Sequence, residues 1–209
     1  MSSDRWWEQE TQDAVRQICS VEDAEALRRQ SVAVGRSPKE WDYYYMTLAY
    51  SVSLGVKCSS RQIGTVLVGR DNRIISTGYN GAPPDVKLCQ DVEAPCPRRV
   101  LGYESGEGLH VCPATHAETN AIASAARMGH STKDGTLFCW CCMPCVNCTS
   151  VIISSGISRV VYLDREKKYH ELSEVMFRQA GVVLDGYDRQ EILDWACQQG
   201  ELHEQARRR

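Results

Sequence analysis

His116, Glu118, Cys145 and Cys148 are the residues whose types and spacing can do chemistry. They sit in two short stretches, His116-Ala117-Glu118 and Pro144-Cys145-Val146-Asn147-Cys148. One imidazole and two thiolates are zinc ligands, and a site with three protein ligands keeps its fourth position for water. Zinc brings the pKa of such a water to roughly 7, so hydroxide is available at neutral pH. Glu118, two residues from the histidine, is not needed as a ligand and can move protons beside the metal. Two other readings fit less well. A thioredoxin-like redox pair does not explain a Pro that precedes the cysteines instead of separating them. Half of a structural zinc ribbon would leave Glu118 without a task.

The surrounding pattern predicts how these residues are held. Thr115 can cap a helix from His116 to about Met128, closed by Gly129. A strand over 136–140 leads into a second helix that begins near Cys145 and ends by Gly156. Both motifs thereby stand at helix N-termini, where the positive end of the dipole favours thiolate over thiol. Upstream, Ser37-Pro38-Lys39-Glu40 is a helix start with an N-cap Ser and a Glu three residues on. Its helix runs to Gly55 with Trp41, Tyr44, Tyr45, Leu48, Ala49 and Val52 on one face. Strands follow at 63–68 and 73–79, joined by a turn at Asp71-Asn72. Residues 80–115 form a long loop rich in Gly, Pro and Cys, of the kind that is functional or tied down. A strand at 158–162, a helix at 171–180, a strand at 182–184 and a helix from Asp188 to about Gln199 complete the chain. Strands alternating with helices predict a layered α/β sheet.

Composition narrows the class. The chain has 209 residues, 43% apolar and 24% charged, which suits one globular domain with appended helices. No apolar run approaches the roughly 20 residues that span a bilayer. The first ten residues are polar and include Trp6 and Trp7, unlike a secretory signal. A net charge of -3 argues against broad nucleic-acid binding, and the Arg207-Arg208-Arg209 end reads as a solvated terminus. Eleven cysteines make an odd number with no export signal, so a reducing compartment, the cytoplasm, is expected.

Longer stretches carry a family resemblance. They are Trp41-Asp42-Tyr43, Cys58-Ser59-Ser60-Arg61-Gln62-Ile63-Gly64, Gly78-Tyr79-Asn80-Gly81-Ala82-Pro83, His116-Ala117-Glu118-Thr119-Asn120-Ala121-Ile122 and the Pro-Cys-Val-Asn-Cys segment. His-x-Glu with Pro-Cys-x-x-Cys is the signature of zinc nucleobase deaminases. The Gly-Tyr-Asn-Gly loop and its cysteine-bearing insertion resemble the deoxycytidylate (dCMP) deaminases of the cytidine deaminase superfamily. That resemblance, over 41–162, implies a layered α/β/α fold with a central mixed sheet. A helical N-terminal extension over 1–36, a zinc-dependent deaminase domain over 37–200 and a polar tail over 201–209 are expected. Trp6 and Trp7 would dock the extension on another subunit or on the domain.

The implied reaction is hydrolytic deamination of dCMP to dUMP, a precursor for thymidylate synthesis. Zinc-bound hydroxide would attack C4 while Glu118 carries the proton to N3 and on to ammonia. His116, Cys145 and Cys148 would hold the zinc, Asn80 would bond the sugar and the Ala117 backbone the base. Arg61 and Tyr162 are the phosphate candidates. A second, structural zinc would use Cys58, Cys89, Cys96 and Cys112, with His110 as the alternate, against buried free thiols as the other reading. Cys139-Trp140-Cys141-Cys142-Met143 departs from the family's usual run and would line the pocket, Cys141 and Cys142 as packing and not as ligands. Relatives of this kind are oligomeric and respond to dCTP and dTTP with magnesium, and Arg127 lies where a regulatory or interfacial arginine occurs.

Other readings keep the metal and change its use. One is another cytosine nucleotide, dCTP or a modified dCMP. A second is a tRNA or single-stranded DNA deaminase, which wants a basic channel that the acidic balance does not favour. A third is a zinc scaffold without activity, which an intact Glu118 opposes.

Overall fold

Residues 36–56, 58, 61–87, 89, 95–104, 107–164 and 171–207 are described by the structure, a computed structural model. The predicted helical extension, with Trp6 and Trp7, lies outside the described residues apart from Arg36. Trp41–Ala196 forms one compact unit, and the described flanking residues 36–40 and 197–207 belong to another.

Helix α1, Pro38–Ser53, starts as its sequence predicts. The Ser37 N–H donates to Glu40 Oε2 at 2.8 Å and the Glu40 N–H returns to Ser37 Oγ at 3.3 Å, a reciprocal cap. Its buried face differs from the expected stripe. Asp42, Tyr43, Tyr45, Met46, Ala49 and Ser53 are buried, and Trp41 is exposed. The reason is electrostatic: Asp42 accepts two bonds from Arg159, at 2.8 and 2.6 Å, and one from the Tyr187 hydroxyl at 2.8 Å. Arg159 also reaches Asp185 at 2.7 Å. Burial, then the Asp42 carboxylate, pushes the Tyr187 phenol up to about 12. Removing Asp42 leaves the Arg159 guanidinium with Asp185 alone among the described residues and takes the acceptor from the Tyr187 hydroxyl. Asp42→Ala is expected to cost about 2–3 kcal/mol in urea unfolding, below the fully buried case because Arg159 is partly exposed to water.

The sheet comprises β1 Gly64–Val68, β2 Ile74–Tyr79, β3 Thr136–Cys139, β4 Arg159–Leu163 and β5 Val183–Tyr187, in the order β2-β1-β3-β4-β5. β1 runs antiparallel to both β2 and β3, while β3, β4 and β5 are parallel. β2 therefore points the same way as β3, and both end at the same edge of the sheet. Strand alternation sorts two cores. Val66, Val68, Phe138, Val161 and Leu163 face α1 and the start of α6, Arg189–Arg207. Leu67, Leu137, Cys139 and Val160 face α3 Ala117–Arg127, α4 Val146–Ser154 and α5 Glu171–Gln179. The predicted α/β/α layering is the fold. The last helix runs beyond the expected end near Gln199, through to Arg207.

Between β2 and α3 lies the long loop, closed at its base. Gly81 and Thr115 exchange both backbone bonds, at 3.2 and 2.9 Å. Inside it are a one-turn helix α2, Pro97–Val100, and a 3₁₀ turn, Leu109–Val111. Arg98 is buried and donates to the carbonyls of Glu104, at 2.6 Å, and Glu107, at 2.5 Å, gathering the loop around its guanidinium. Among the described residues no helix is long and apolar enough to cross a membrane.

Candidate active site

Helices α3 and α4 both begin at the edge where β2 and β3 end. The residue expected to cap α3 was Thr115, but the N-cap is His116, extended at φ -68°, ψ 152°. Cys145 is the N-cap of α4, at φ -68°, ψ 164°. Neither side chain caps its own helix, because each turns toward the other motif. His116 Nδ1 lies 3.5 Å from Cys145 Sγ and 3.3 Å from Cys148 Sγ. Tetrahedral zinc with its usual bond lengths separates a ligand sulfur and nitrogen by roughly 3.5 Å. The donor set fits a zinc ion in type and in spacing. Among the described residues, no other group of three His, Cys, Asp or Glu brings its donor atoms within 4.8 Å of one another.

Electrostatics favour a cation here. Cys145 carries the charge of the thiol pair, with its pKa pushed down to about 3, first by the Cys148 thiol that donates to it and then by His116 and the Cys148 N–H. That shared proton pushes Cys148 up, and burial adds to it. The bond to Cys145 raises the His116 pKa against the opposing effect of burial. His116, Cys145 and Cys148 would release these protons on holding a divalent metal, which would then bind the three donors together. Thr119 Oγ1 lies 3.8 Å from Cys148 Sγ.

Glu118 stands one turn into the site. It is 4% exposed, and its Oε2 has no hydrogen-bond partner among the described residues. Burial pushes its carboxyl up, while its own N–H and His116 pull the other way. A buried carboxylate oxygen without a partner is costly in a folded protein unless a ligand or water meets it.

The other predicted residues divide. Ala117 is wholly buried, and its carbonyl accepts from Thr65 Oγ1 at 2.9 Å. Its N–H, in the first turn, has no intrahelical acceptor. Asn80 is buried, accepting from the Ile63 N–H at 2.8 Å and donating to the Arg61 carbonyl at 2.9 Å. Its amide thus pins 61–63 and keeps one N–H and one lone pair for anything else. Arg61 is exposed, and Tyr162 is half-buried on β4, its phenol raised by burial and nearby acids. Arg127 is exposed in the last turn of α3, about 15 Å along the axis from Ala117 at the usual helical rise.

Cys58, Cys89, Cys96 and Cys112 all line one cavity of about 350 Å³, whose wall also includes Gly78, Tyr79, Gly81, Arg98 and Asn120. His110 is not in that wall; it is exposed and meets Tyr103 edge-on at 5.8 Å. Burial, then a bond to Cys96, pushes Cys89 up to about 11. Burial opposes charge on Cys96, yet the Arg99 and Arg98 N–H groups and the Cys89 thiol hold its pKa below the ordinary value. Cys139 and Cys141 pack in the core beside Cys148; burial raises the Cys139 thiol against a bond from Cys141, while the bond to Cys139 and then burial raise Cys141. The described cysteines are all free. Unread in the sequence was Thr65, whose one signal was a polar side chain in the wholly buried strand Gly-Thr-Val-Leu-Val.

The fold and the site together define a zinc-binding α/β domain of the deaminase type. The model of the cytidine and deoxycytidylate deaminase zinc-binding region matches residues 39–164. Deoxycytidylate deaminase of Mycobacterium phage D29 is 36% identical over 131 residues, covering 60% of this chain and 96% of that protein. The Saccharomyces cerevisiae deoxycytidylate deaminase is 37% identical over 144 residues, covering 69% of this chain and 44% of that protein. For the Schizosaccharomyces pombe deoxycytidylate deaminase the figures are 39% over 122 residues, 58% and 36%. The chain thus spans less than half the length of the two yeast relatives. The apo dCMP deaminase of cyanophage S-TIM5 shares the fold at a TM-score of 0.56 and 23% identity, covering 73% of this chain and 100% of that one. The chain belongs to the cytidine and deoxycytidylate deaminase family.

Proposed function

We propose that this protein deaminates dCMP, converting dCMP and water to dUMP and ammonia and so supplying dUMP for thymidylate synthesis. The observation that carries the proposal is the buried, unpartnered Glu118 Oε2 beside the His116, Cys145 and Cys148 donors. Zinc, when bound by those donors, supplies a water acidic enough to attack at neutral pH. Glu118 accepts one proton of that water and gives it to N3 of the ring, then takes the second proton from the oxygen now bonded to C4 and delivers it to the amine, which leaves as ammonia while the C4 carbonyl forms. The Ala117 N–H, left over at the helix start, bonds the base, and the remaining N–H or lone pair of Asn80 bonds the sugar. Arg61 and Tyr162 are the side chains assigned to the phosphate. Support for the substrate comes from the phage and yeast deoxycytidylate deaminases and from the S-TIM5 enzyme, whose structure was solved with dCMP and dUMP. Ammonia release from a panel of dCMP, CMP, dCTP, deoxycytidine and 5-methyl-dCMP tests it. Preference for dCMP supports the proposal, and preference for another member overturns the substrate assignment.

A second, structural zinc belongs to the same proposal, held by Cys58, Cys89, Cys96 and Cys112. All four line one cavity, which supports it, as does the thiolate character of Cys96; no three of their sulfurs lie within 4.8 Å of one another, so the ion would have to draw them together. Metal analysis of the purified chain is expected to give two zinc ions per chain, falling to one in Cys89→Ser/Cys96→Ser. One zinc in the unaltered protein would refute the second site. We also propose a homo-oligomer regulated by dCTP and dTTP with magnesium, with Arg127 at the regulatory or subunit surface. The exposure of Arg127 beside Met128, which is 51% exposed, supports that placement.

A further inference from the structure

Helix α3 meets the sheet through its smallest residues. Ala117, Ala121 and Ala125 are all 0% exposed. Opposite them, Gly78 lets the β2 backbone come so close that a Cβ there would lie 2.2 Å from the Ala117 carbonyl oxygen and 2.4 Å from the Ala121 nitrogen. An alanine face against glycine backbone offers few knobs to interdigitate, so packing alone fixes its axial position weakly. Yet this helix carries His116 at its N-cap and Glu118 in its first turn. A displacement of about 1 Å at such groups can cost ~10²-fold in rate.

Three polar contacts supply the register that shape does not. Thr65 Oγ1, wholly buried in β1, donates to the Ala117 carbonyl at 2.9 Å, with the Gly78 carbonyl at 3.2 Å as a second acceptor. Ser76 Oγ, buried in β2, donates to the Ala121 carbonyl at 2.7 Å. In the other direction, Asn120 Nδ2 donates to the Tyr79 carbonyl at 2.7 Å. Thr65 pairs with Gly78 across the strands, and Ser76 lies two residues from Gly78 on the same face of β2. Ala117 and Ala121 are one helical turn apart on one face. The spacing of two hydroxyls on the sheet thus matches that of two carbonyls on the helix. A slip of one residue moves the helix about 1.5 Å and turns it about 100°, taking both carbonyls away from their donors.

We propose that Thr65 and Ser76 are positioning residues that index α3 on the sheet, and so set His116 and Glu118 against Cys145 and Cys148. The role concerns the deamination proposed above and rests on that reading. Thr65→Val keeps the shape and deletes the donor. In the zinc-loaded full chain it is expected to lower kcat on dCMP about tenfold or more while KM stays within about threefold, and Thr65→Ser restores kcat. Cobalt(II)-substituted protein provides a readout that needs no turnover. Its visible ligand-field bands are expected to shift in Thr65→Val and return in Thr65→Ser. Ser76→Ala repeats both measurements one turn along and serves if Thr65→Val does not fold. Unchanged kcat and unchanged cobalt bands in the folded variants would overturn the proposal. So would equal impairment of Thr65→Val and Thr65→Ser in step with lost thermal stability, which is a structural effect only. Failure of the unaltered protein to act on dCMP would sink the deamination reading, and the cobalt bands would still decide the register.

Discussion

Glu118→Gln is expected to keep its zinc and bind dCMP while losing turnover by about 10²–10⁴-fold, the usual worth of a positioned proton carrier. The substitution is close to isosteric, so the first turn of α3 and the neighbouring His116 have no reason to move. What changes is chemistry. Gln can neither take a proton from water nor pass one to the ring or the leaving amine. The carboxylate is 4% exposed with one oxygen unpartnered, so it is shielded from bulk water that could take over its proton transfer. Ammonia release, zinc content and calorimetric binding of dCMP separate the possibilities. Full activity in this variant would contradict the role, and loss of zinc with loss of activity would make Glu118 a support for the metal instead.

Cys145→Ala has the other large effect expected of the site. It removes one of three donors and the charged member of the thiol pair, leaving His116 and Cys148. Zinc content is expected to fall by one ion per chain and ammonia release to fall to background. Stability falls with it, because a ligand bound only to the native state adds about 4 kcal/mol when present at a thousand times its dissociation constant. The melting temperature of Cys145→Ala should therefore fall below that of the zinc-loaded unaltered protein, toward the value of chelator-treated protein. Cys141→Ala serves as the contrast: that thiol packs in the core and stands outside the donor group, so zinc content should hold. Retained zinc and activity in Cys145→Ala would remove Cys145 from the ligand set.

What could be read in the sequence was local. His-x-Glu and Cys-x-x-Cys fix donor geometry over three or four residues, so type and spacing alone identify the donors. The cap at Ser37 and Glu40 and the alternating strands were legible for the same reason. Long-range pairing was not. Asp42 is buried because Arg159, 117 residues on, binds it, and the buried face of α1 is turned to include Asp42, Tyr43 and Met46 while keeping Tyr45 and Ala49 of the expected stripe. The N-cap of α3 is His116, still extended, because Thr115 is held in backbone pairing with Gly81, a partner 34 residues upstream. The last helix extends to Arg207 through a polar stretch without a core stripe to announce it, although Glu204 and Arg207 pair at 3.9 Å one turn apart. Three of the cavity's cysteines, Cys89, Cys96 and Cys112, sit in the loop that the Gly81–Thr115 bonds close and Arg98 gathers, and neither device has a sequence period.

The central claim is hydrolysis of the cytosine amine. Zinc-loaded protein with dCMP in ¹⁸O-labelled water tests it most directly, by mass analysis of the nucleotide beside an ammonia assay. The account predicts dUMP carrying one solvent oxygen at C4 and one ammonia for each dUMP. Absence of dUMP, or dUMP without the label, would contradict it.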